Sequence, residues 1–334
     1  MDFKVIAQDI YNTLRAAKSV LLHFHPSPDP DSVGSTLAMK HVLEDWGVKV
    51  TVIRGDSPMP TSLSCFPGFK DVVDKNFTEI DLIGFDLFLI LDVSQASRIT
   101  SLAPVVFPPH LKTILIDHHQ LSDNFAQINL VDPTYSSTSE LLYCLLKEWG
   151  TPINRLAATC MYGGIWADTG GFKYPSVLPR TLLAAAGLAE LTPDFSKLIF
   201  ELENNQPPEQ IYLEGLILNS VELYGNGRVA LAGVSYQMLE DKNLVGAAGH
   251  IAVSNKLKSV IGWDIGVTLV EKEPGAVSVS MRTRDAEQFD LSKLAVALGG
   301  GGHKAAAGIL IRKPFVEAKK LFLEKLVEVY PVLK

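Results

Sequence analysis

Val20-Leu21-Leu22-His23-Phe24-His25-Pro26-Ser27-Pro28-Asp29-Pro30-Asp31-Ser32-Val33-Gly34-Ser35 is the stretch on which the fold turns. An apolar strand leads in. Residues 36–46 read as the helix that follows, closed by Gly47, a favoured helix stop. An imidazole and two carboxylates therefore stand on a loop at the carboxyl end of a strand, where α/β sheets place their ligands. Pro26, Pro28 and Pro30 stiffen that loop and push the residue before each towards extended conformations. In an extended segment residues two apart point the same way, so Asp29 and Asp31 are expected side by side, an arrangement suited to two cations sharing a site. A Pro/Asp surface turn explains the same residues equally well, and the rest of the chain decides between the two.

At roughly 150 residues per domain, a chain of 334 residues suggests two domains. With 47% apolar and 20% charged residues, it has the composition of a folded, cored protein. No apolar run approaches the ~20 residues that span a bilayer. Met1-Asp2-Phe3-Lys4 lacks the basic-then-apolar layout of a secretory signal. Cys65, Cys144 and Cys160 form no Cys-x-x-Cys pair, so the expected setting is a reducing cytoplasm without membrane contact. The net charge of −7 argues against a grip on long nucleic acid through a basic stripe. A phosphate-bearing partner should be short, or held by local charges and metal ions.

Taken in order, residues 3–17 carry Ile6, Ile10 and Leu14 on one helical face. Strands are expected at 20–22, 49–53, 85–91, 113–116 and 127–131, with a proline-rich loop at 54–70. Helices are expected at 137–149, where Ser137 and Glu140 stand in capping-box register, and at 154–167. Ser136, Ser137 and Thr138 read as structural. Apolar strands separated by helical stretches predict an α/β fold with a mostly parallel sheet covered on both faces. Helices at 181–191, 195–204 and 209–223 carry the chain onward. From Gly225 the pattern restarts with strands at 228–235, 264–270, 276–284 and 308–311 and helices at 245–257, 291–298 and 315–330. Expected domains are 1–190, a helical connector 191–224, and a smaller α/β domain 225–334. In 276–284, Val277, Val279 and Met281 face one way; Ser278, Ser280, Arg282 and Arg284 face the other, the two serines towards solvent.

The polar residues that end these elements are His25, Asp29, Asp31, Asp92, Asp117, His118, His119 and Asp168. Each alone is an ordinary cap or turn residue. Gathered at one sheet edge without a cation, they would repel strongly. Asp168 also opposes the dipole of the helix it follows. Carboxylates with imidazoles and no thiolate suit Mn, Fe(II), Co or Zn, and paired metals suit phosphoester hydrolysis. His41, His110 and His250 read as structural, and His23 as core. Phe172 and Tyr174 are divided between core packing and base stacking.

His25-x-x-x-Asp29-x-Asp31, Asp92 after a strand, Asp117-His118-His119, and Asp168 in Ala-Asp-Thr-Gly-Gly-Phe resemble the four motifs of the DHH phosphoesterase family. The run Gly299-Gly300-Gly301-Gly302-His303-Lys304-Ala305-Ala306-Ala307-Gly308 resembles the signature of the DHH-associated C-terminal domain. Size and layout are similar to the nanoRNase (oligoribonuclease) branch. The resemblance implies two divalent ions, Mn²⁺ by preference, in a cleft between the domains: His25 and Asp29 on one, Asp31, His118 and Asp168 on the other, Asp92 bridging. It implies that His119 contacts the scissile phosphate and helps protonate the leaving oxygen, that Asp117 orients a ligand histidine, and that Arg98 reaches phosphate. Four glycines in a row expose amides to a phosphate. With Arg282, Arg284, Gly301, Gly302 and His303, they are the expected substrate-binding residues of the second domain.

The implied substrates are short RNA or dinucleotides, released as nucleoside 5′-monophosphates, together with 3′-phosphoadenosine 5′-phosphate. A cyclic-di-AMP or linear di-AMP phosphodiesterase is the alternative within this chemistry, and a non-catalytic nucleotide-binding protein the alternative outside it. A homodimer is compatible with either, though no residue pattern selects it.

Overall fold

A computed structural model describes residues 3–120, 122–248 and 253–334. His250, with the middle of the helix expected at 245–257, lies outside the described residues. The chain divides into two units, Met1–Asn205 and Gln206–Lys334, so the boundary falls inside the stretch expected as a connector.

The first unit is built on a five-stranded parallel sheet in the order β2-β1-β3-β4-β5. Its strands are β1 (Ser19–His23), β2 (Lys49–Ile53), β3 (Leu87–Leu91), β4 (Lys112–Asp117) and β5 (Ile128–Val131). Its helices are α1 (Phe3–Ala16), α2 (Pro30–Asp45), α3 (Thr138–Glu148), α4 (Arg155–Asp168), α5 (Pro179–Leu191) and α6 (Phe195–Asn204). Side chains alternate across the sheet. Leu22, Leu89 and Ile114 join Leu37, Leu142 and Met161 of the helices in one core. Leu21, Ile90 and Leu115 pack on the other face against Phe77, Ile99 and Leu111. That second face is covered by loops and short 3₁₀ turns, so both faces of the sheet are covered as expected. Part of the 54–70 loop likewise closes into 3₁₀ turns at Thr61–Leu63 and Phe69–Asp71.

The opening stretch differs from its sequence reading in one respect that matters. α2 starts at Pro30, not at 36. Asp29 is its N-cap, with Oδ1 accepting the N–H groups of Asp31 (3.0 Å) and Ser32 (2.9 Å). Pro30 at the first helical position brings a preset φ and no unpaired N–H. Asp31 is therefore inside the first helical turn, and the expectation of two aspartates projecting side by side from an extended loop fails. The helix N-cap outcompetes the extended preference of the prolines.

Every residue of α2 from Asp31 to Leu43 is buried. Close packing on α4 explains part of this. A Cβ on Gly34 would lie 2.5 Å from the Cys160 carbonyl oxygen and 3.2 Å from the Gly164 nitrogen. A Cβ on Gly164 would lie 2.6 Å from Asp31 Oδ1. Two glycines thus let the first turn of α2 approach the last turns of α4, which carries Asp168 as its final residue.

The second unit is a six-stranded mixed sheet in the order β10-β11-β9-β8-β7-β6. Its strands are β6 (Glu222–Tyr224), β7 (Val229–Val234), β8 (Ile265–Glu273), β9 (Ala276–Thr283), β10 (Gly301–His303) and β11 (Ala306–Ile311), with β7 and β8 parallel. Helices α7 (Pro208–Leu218), α8 (Tyr236–Asp241), α9 (Ser254–Lys258), α10 (Leu291–Ala297) and α11 (Phe315–Val329) complete it. β9 alternates as expected, and Ser280 on its polar face is half-buried, its hydroxyl meeting Ser254 Oγ of α9 at 3.3 Å. The glycine run is not wholly a loop either. Gly301–His303 forms the edge strand β10, with Gly302 opposite Ala307. Gly302 has φ 142°, and a Cβ there would lie 2.5 Å from Ala307 Cα, so only glycine closes this pairing. No helix among the described residues is long and apolar enough to cross a membrane.

His23 is a core residue, as expected, but an expensive one. Both ring nitrogens are buried without a partner, and the ring stands edge-on to Phe88 at 5.2 Å. Burial, then the neighbouring His25, pushes its pKa down to about 3. Below pH 6.5 the unfolded chain binds a proton there that the folded chain does not, so this residue costs stability as the pH falls. His23→Leu should match or exceed the wild type at pH 7.5, within about 1 kcal/mol, because no hydrogen bond is lost. It should lose less stability than the wild type between pH 7 and pH 5. Urea titrations at both pH values decide it; parallel losses in the two proteins would show that His23 is paired.

Candidate metal centre

Three neighbouring strands, β1, β3 and β4, deliver side chains from their carboxyl ends to one place. β1 leads to His25 and the α2 cap; β3 to Asp92; β4 to Asp117, His118 and His119. α4 adds Asp168. The ring nitrogens and carboxylate oxygens form three groups: His25, Asp29 and Asp92; Asp31, His118 and Asp168; Asp92, His118 and His119. Within each group they lie within 4.8 Å of one another. His25 Nε2 is 3.7 Å from both Asp29 Oδ2 and Asp92 Oδ2. His118 Nε2 is 3.6 Å from Asp92 Oδ1 and 3.3 Å from Asp168 Oδ2. The two oxygens of Asp92 thus face two lobes.

The imidazoles are aimed by what their other nitrogens touch. His25 Nδ1 lies 2.9 Å from the Pro26 carbonyl oxygen and His118 Nδ1 3.4 Å from that of Tyr135. A carbonyl only accepts, so Nδ1 carries the proton in both rings and Nε2 offers its lone pair to the centre. His119 is turned the other way: its Nδ1 donates to Asp117 Oδ1 at 2.7 Å. Asp117, expected to orient a ligand histidine, therefore pairs with His119 and not with His118.

Asp31 is 2% exposed, and both its oxygens accept main-chain N–H groups from α3: Thr138 at 2.7 Å and Ser139 at 3.1 Å. The Thr138 hydroxyl donates to Asp92 Oδ1 at 3.0 Å. Sequence reasoning treated this turn as structural only. Ser137 does cap α3, through its Oγ and the Glu140 N–H. The missed signal is that a helix capped just after β5 must aim its first free N–H groups at the sheet edge where the acids stand.

The charges are poised for cations. Burial first, then the charge of Asp92, pushes the Asp31 carboxyl well up. Burial and the charge of Asp29 raise Asp92, although the nearby imidazoles oppose this. Burial, with Asp31, Asp92 and Asp29 around it, lifts Asp168 to about 9. Burial would depress His25 and His119, but Asp29 and Asp92 outweigh it at His25, and Asp117 and Asp92 carry His119 up to about 9. Asp92 also holds φ at 60°, a left-handed conformation uncommon outside glycine and found at sites under functional constraint. A buried acid cluster on a strained strand end, with nitrogen and oxygen donors in two lobes, fits a pair of divalent cations.

Arg98 is exposed on the 3₁₀ turn Ala96–Arg98 after β3, and its charge opposes protonation of His119. In the second unit, Ala306 is opposite both His303 on β10 and Arg282 on β9, so His303 and Arg282 flank it in one cross-strand row. Arg282 donates to the Met281 carbonyl (2.9 Å) and Arg284 to that of Val260 (2.7 Å). Gly301, Gly302 and His303 are exposed. Phe172 packs on the first-unit core while Tyr174 is exposed, its ring lying against Gly170. His41 and His110 meet main-chain carbonyl groups of Pro67 and Leu82, in keeping with structural roles.

Residues 19–165 match the DHH family, N-terminal domain, and residues 230–330 match the DHHA1 domain. The chain is 29% identical over 313 residues to the bifunctional oligoribonuclease and PAP phosphatase NrnA of Bacillus subtilis, covering 91% of this chain and 92% of that protein. It is 27% identical over 301 residues to the probable bifunctional oligoribonuclease and PAP phosphatase NrnA of Streptococcus mutans, covering 88% and 90%. The crystal structure of an exopolyphosphatase-related protein from Bacteroides fragilis superposes with a TM-score of 0.89 at 25% identity, covering 99% of this chain and 98% of that one.

Asp168→Asn tests the electrostatic balance. Without metal, the variant should melt higher than the wild type at neutral pH, since the wild type must take up a proton on Asp168 to fold and the amide need not. With a divalent cation added, the wild type should gain stability, by about 2.7 kcal/mol at roughly a hundred times the Kd, and the variant much less. Thermal melts with and without chelator read both arms; an equal cation-induced gain in the two proteins would remove Asp168 from the centre.

Proposed function

We propose, on the premise that this chain is a DHH family protein with a DHHA1 domain, that it is a Mn²⁺-dependent hydrolase of short oligoribonucleotides and dinucleotides. It releases nucleoside 5′-monophosphates and also converts 3′-phosphoadenosine 5′-phosphate to AMP. The observation that carries this reading is the two-lobed cluster sharing Asp92. His25 and Asp29 would hold one ion, Asp31, His118 and Asp168 the other, with Asp92 shared between the two sets; divalent cations there would supply charge neutralisation at the phosphate and a lowered pKa for the attacking water.

The protein groups then divide the remaining work. Asp117 keeps a proton on His119 Nδ1, which leaves Nε2–H as donor to the leaving oxygen. The Asp117 carboxylate beside the ring favours its protonated form, which suits it to that task. Arg98 supplies a positive charge beside His119. Arg282, Arg284, His303 and the exposed edge-strand residues Gly301 and Gly302 bind the nucleotide and its phosphate. A net charge of −7 leaves phosphate recognition to these local groups and favours short substrates in the cytoplasm over long nucleic acid.

A Mn²⁺-supplemented panel of pNpN dinucleotides, longer RNA, 3′-phosphoadenosine 5′-phosphate, cyclic and linear di-AMP, and pyrophosphate tests the assignment. Dinucleotides and the bisphosphate should be turned over. A protein that leaves both intact refutes it, and one that prefers cyclic di-AMP is instead a cyclic-dinucleotide phosphodiesterase. His119→Asn should lower kcat on dinucleotides by about 10²–10⁴-fold, as expected for loss of a general acid, with little change in KM. Arg282→Ala should act mainly on KM; the opposite pattern in steady-state kinetics would exchange their roles.

A further inference from the structure

We infer that Thr138 is a positioning residue that clamps the carboxylates of both lobes; this rests on the metal-dependent hydrolase reading above. A single fully buried residue donates to two acids from different elements. Its main-chain N–H reaches Asp31 Oδ2 at 2.7 Å, and its hydroxyl reaches Asp92 Oδ1 at 3.0 Å. The first-turn N–H groups of a helix have no intrahelical partners and ordinarily bind water or a cap. Here those of Thr138 and Ser139 grip Asp31, more than a hundred residues away in sequence. A carboxylate oxygen that accepts one hydrogen bond keeps a second lone pair. The clamp therefore fixes the direction in which Asp31 and Asp92 present themselves to a cation without consuming their capacity to bind it.

The turn that carries Thr138 is itself anchored on a buried charge. Glu140, fully buried, accepts from the Ser136 N–H (2.8 Å), Ser136 Oγ (2.6 Å), Thr181 Oγ1 (3.1 Å) and Arg180 Nε (3.0 Å). The Arg180 guanidinium in turn lies 4.0 Å from the centre of the Tyr135 ring. Tyr135 is the residue whose carbonyl faces His118 Nδ1. One short segment, 135–140, thus orients three side chains of the centre: Asp31, Asp92 and His118. A purely structural helix start would need only the Ser137 cap; the hydroxyl of Thr138 adds nothing to α3 itself and spends its bond on Asp92.

Thr138→Val keeps the shape and the main-chain bond to Asp31 but removes the donor to Asp92. Thr138→Ser keeps the donor. Isothermal titration of the metal-free proteins with Mn²⁺ should show about 10–100-fold weaker binding for Thr138→Val, with Thr138→Ser close to wild type. Circular dichroism and the metal-free melting temperature should change little, and kcat on a dinucleotide should fall with KM nearly constant. Should Thr138→Val not fold, Thr138→Ala against Thr138→Ser makes the same comparison. Wild-type affinity and kcat in the Val or Ala variant overturn the positioning role while leaving the hydrolase reading intact. A wild-type protein that binds no Mn²⁺ overturns both.

Discussion

The closeness of α2 and α4 is the constraint on which the centre depends. Where Gly34 faces the Cys160 carbonyl and Gly164 faces Asp31, no Cβ fits. A methyl group on Gly164 would enter the space of the Asp31 carboxylate and Ser139 Oγ. Because the two helices meet there, the first turn of one and the last turn of the other share one place, and Asp31 and Asp168 come within ligand distance of His118. The sheet alone supplies His25, Asp92 and the Asp117-His118-His119 run. The helix crossing completes the second lobe.

Such a crossing concentrates negative charge, and the unit manages it with two kinds of partner. Permanent donors hold four of the acids in place: N–H groups from α2 for Asp29, N–H groups from α3 for Asp31, a hydroxyl for Asp92, and His119 for Asp117. These bonds leave the electrostatic debt unpaid, because burial and mutual repulsion still push Asp31, Asp92 and Asp168 upward. Under the reading proposed above, cations would offset the remainder. Glu140 makes the contrast plain. It is as buried as Asp31, yet its carboxylate meets a guanidinium and three other donors, and it belongs to the scaffold.

Much of this was legible from residue order. The strand-end acids and histidines could be read as a group because parallel strands bring their carboxyl ends to one edge, whatever the loop lengths between them. The parallel sheet, the cap at Ser137 and the alternation in β9 were readable for the same reason: each is set by local pattern. What the sequence did not disclose depends on who sits opposite. Pro30 could open a helix or extend a loop, and the Asp29 side chain decided for the helix by capping it. Ser280 reads as solvent-facing until α9 lies over it. Thr138 reads as a cap neighbour until Asp31 and Asp92 arrive from remote positions. The pairing of Asp117 with His119 and not His118 turns on a ring rotation that no spacing encodes.

The glycine run shows how a single motif can serve two masters. Gly300 and Gly302 are required by the fold, since a Cβ at either would strike β11: 2.4 Å from the Gly308 carbonyl oxygen and 2.5 Å from Ala307 Cα. Gly299 holds φ at 77° just beyond the C-cap of α10, a left-handed position that favours glycine. Gly301 has no such excuse: its φ is not among the positive ones, and a Cβ there would meet nothing within 4 Å. Packing and backbone strain therefore account for three glycines and leave the fourth unexplained. It stands on an exposed edge strand, in the same three-residue element as His303. Among the described residues nothing approaches a Cβ at Gly301, and under the substrate-binding role proposed above that open side of the edge strand is the room left for the nucleotide.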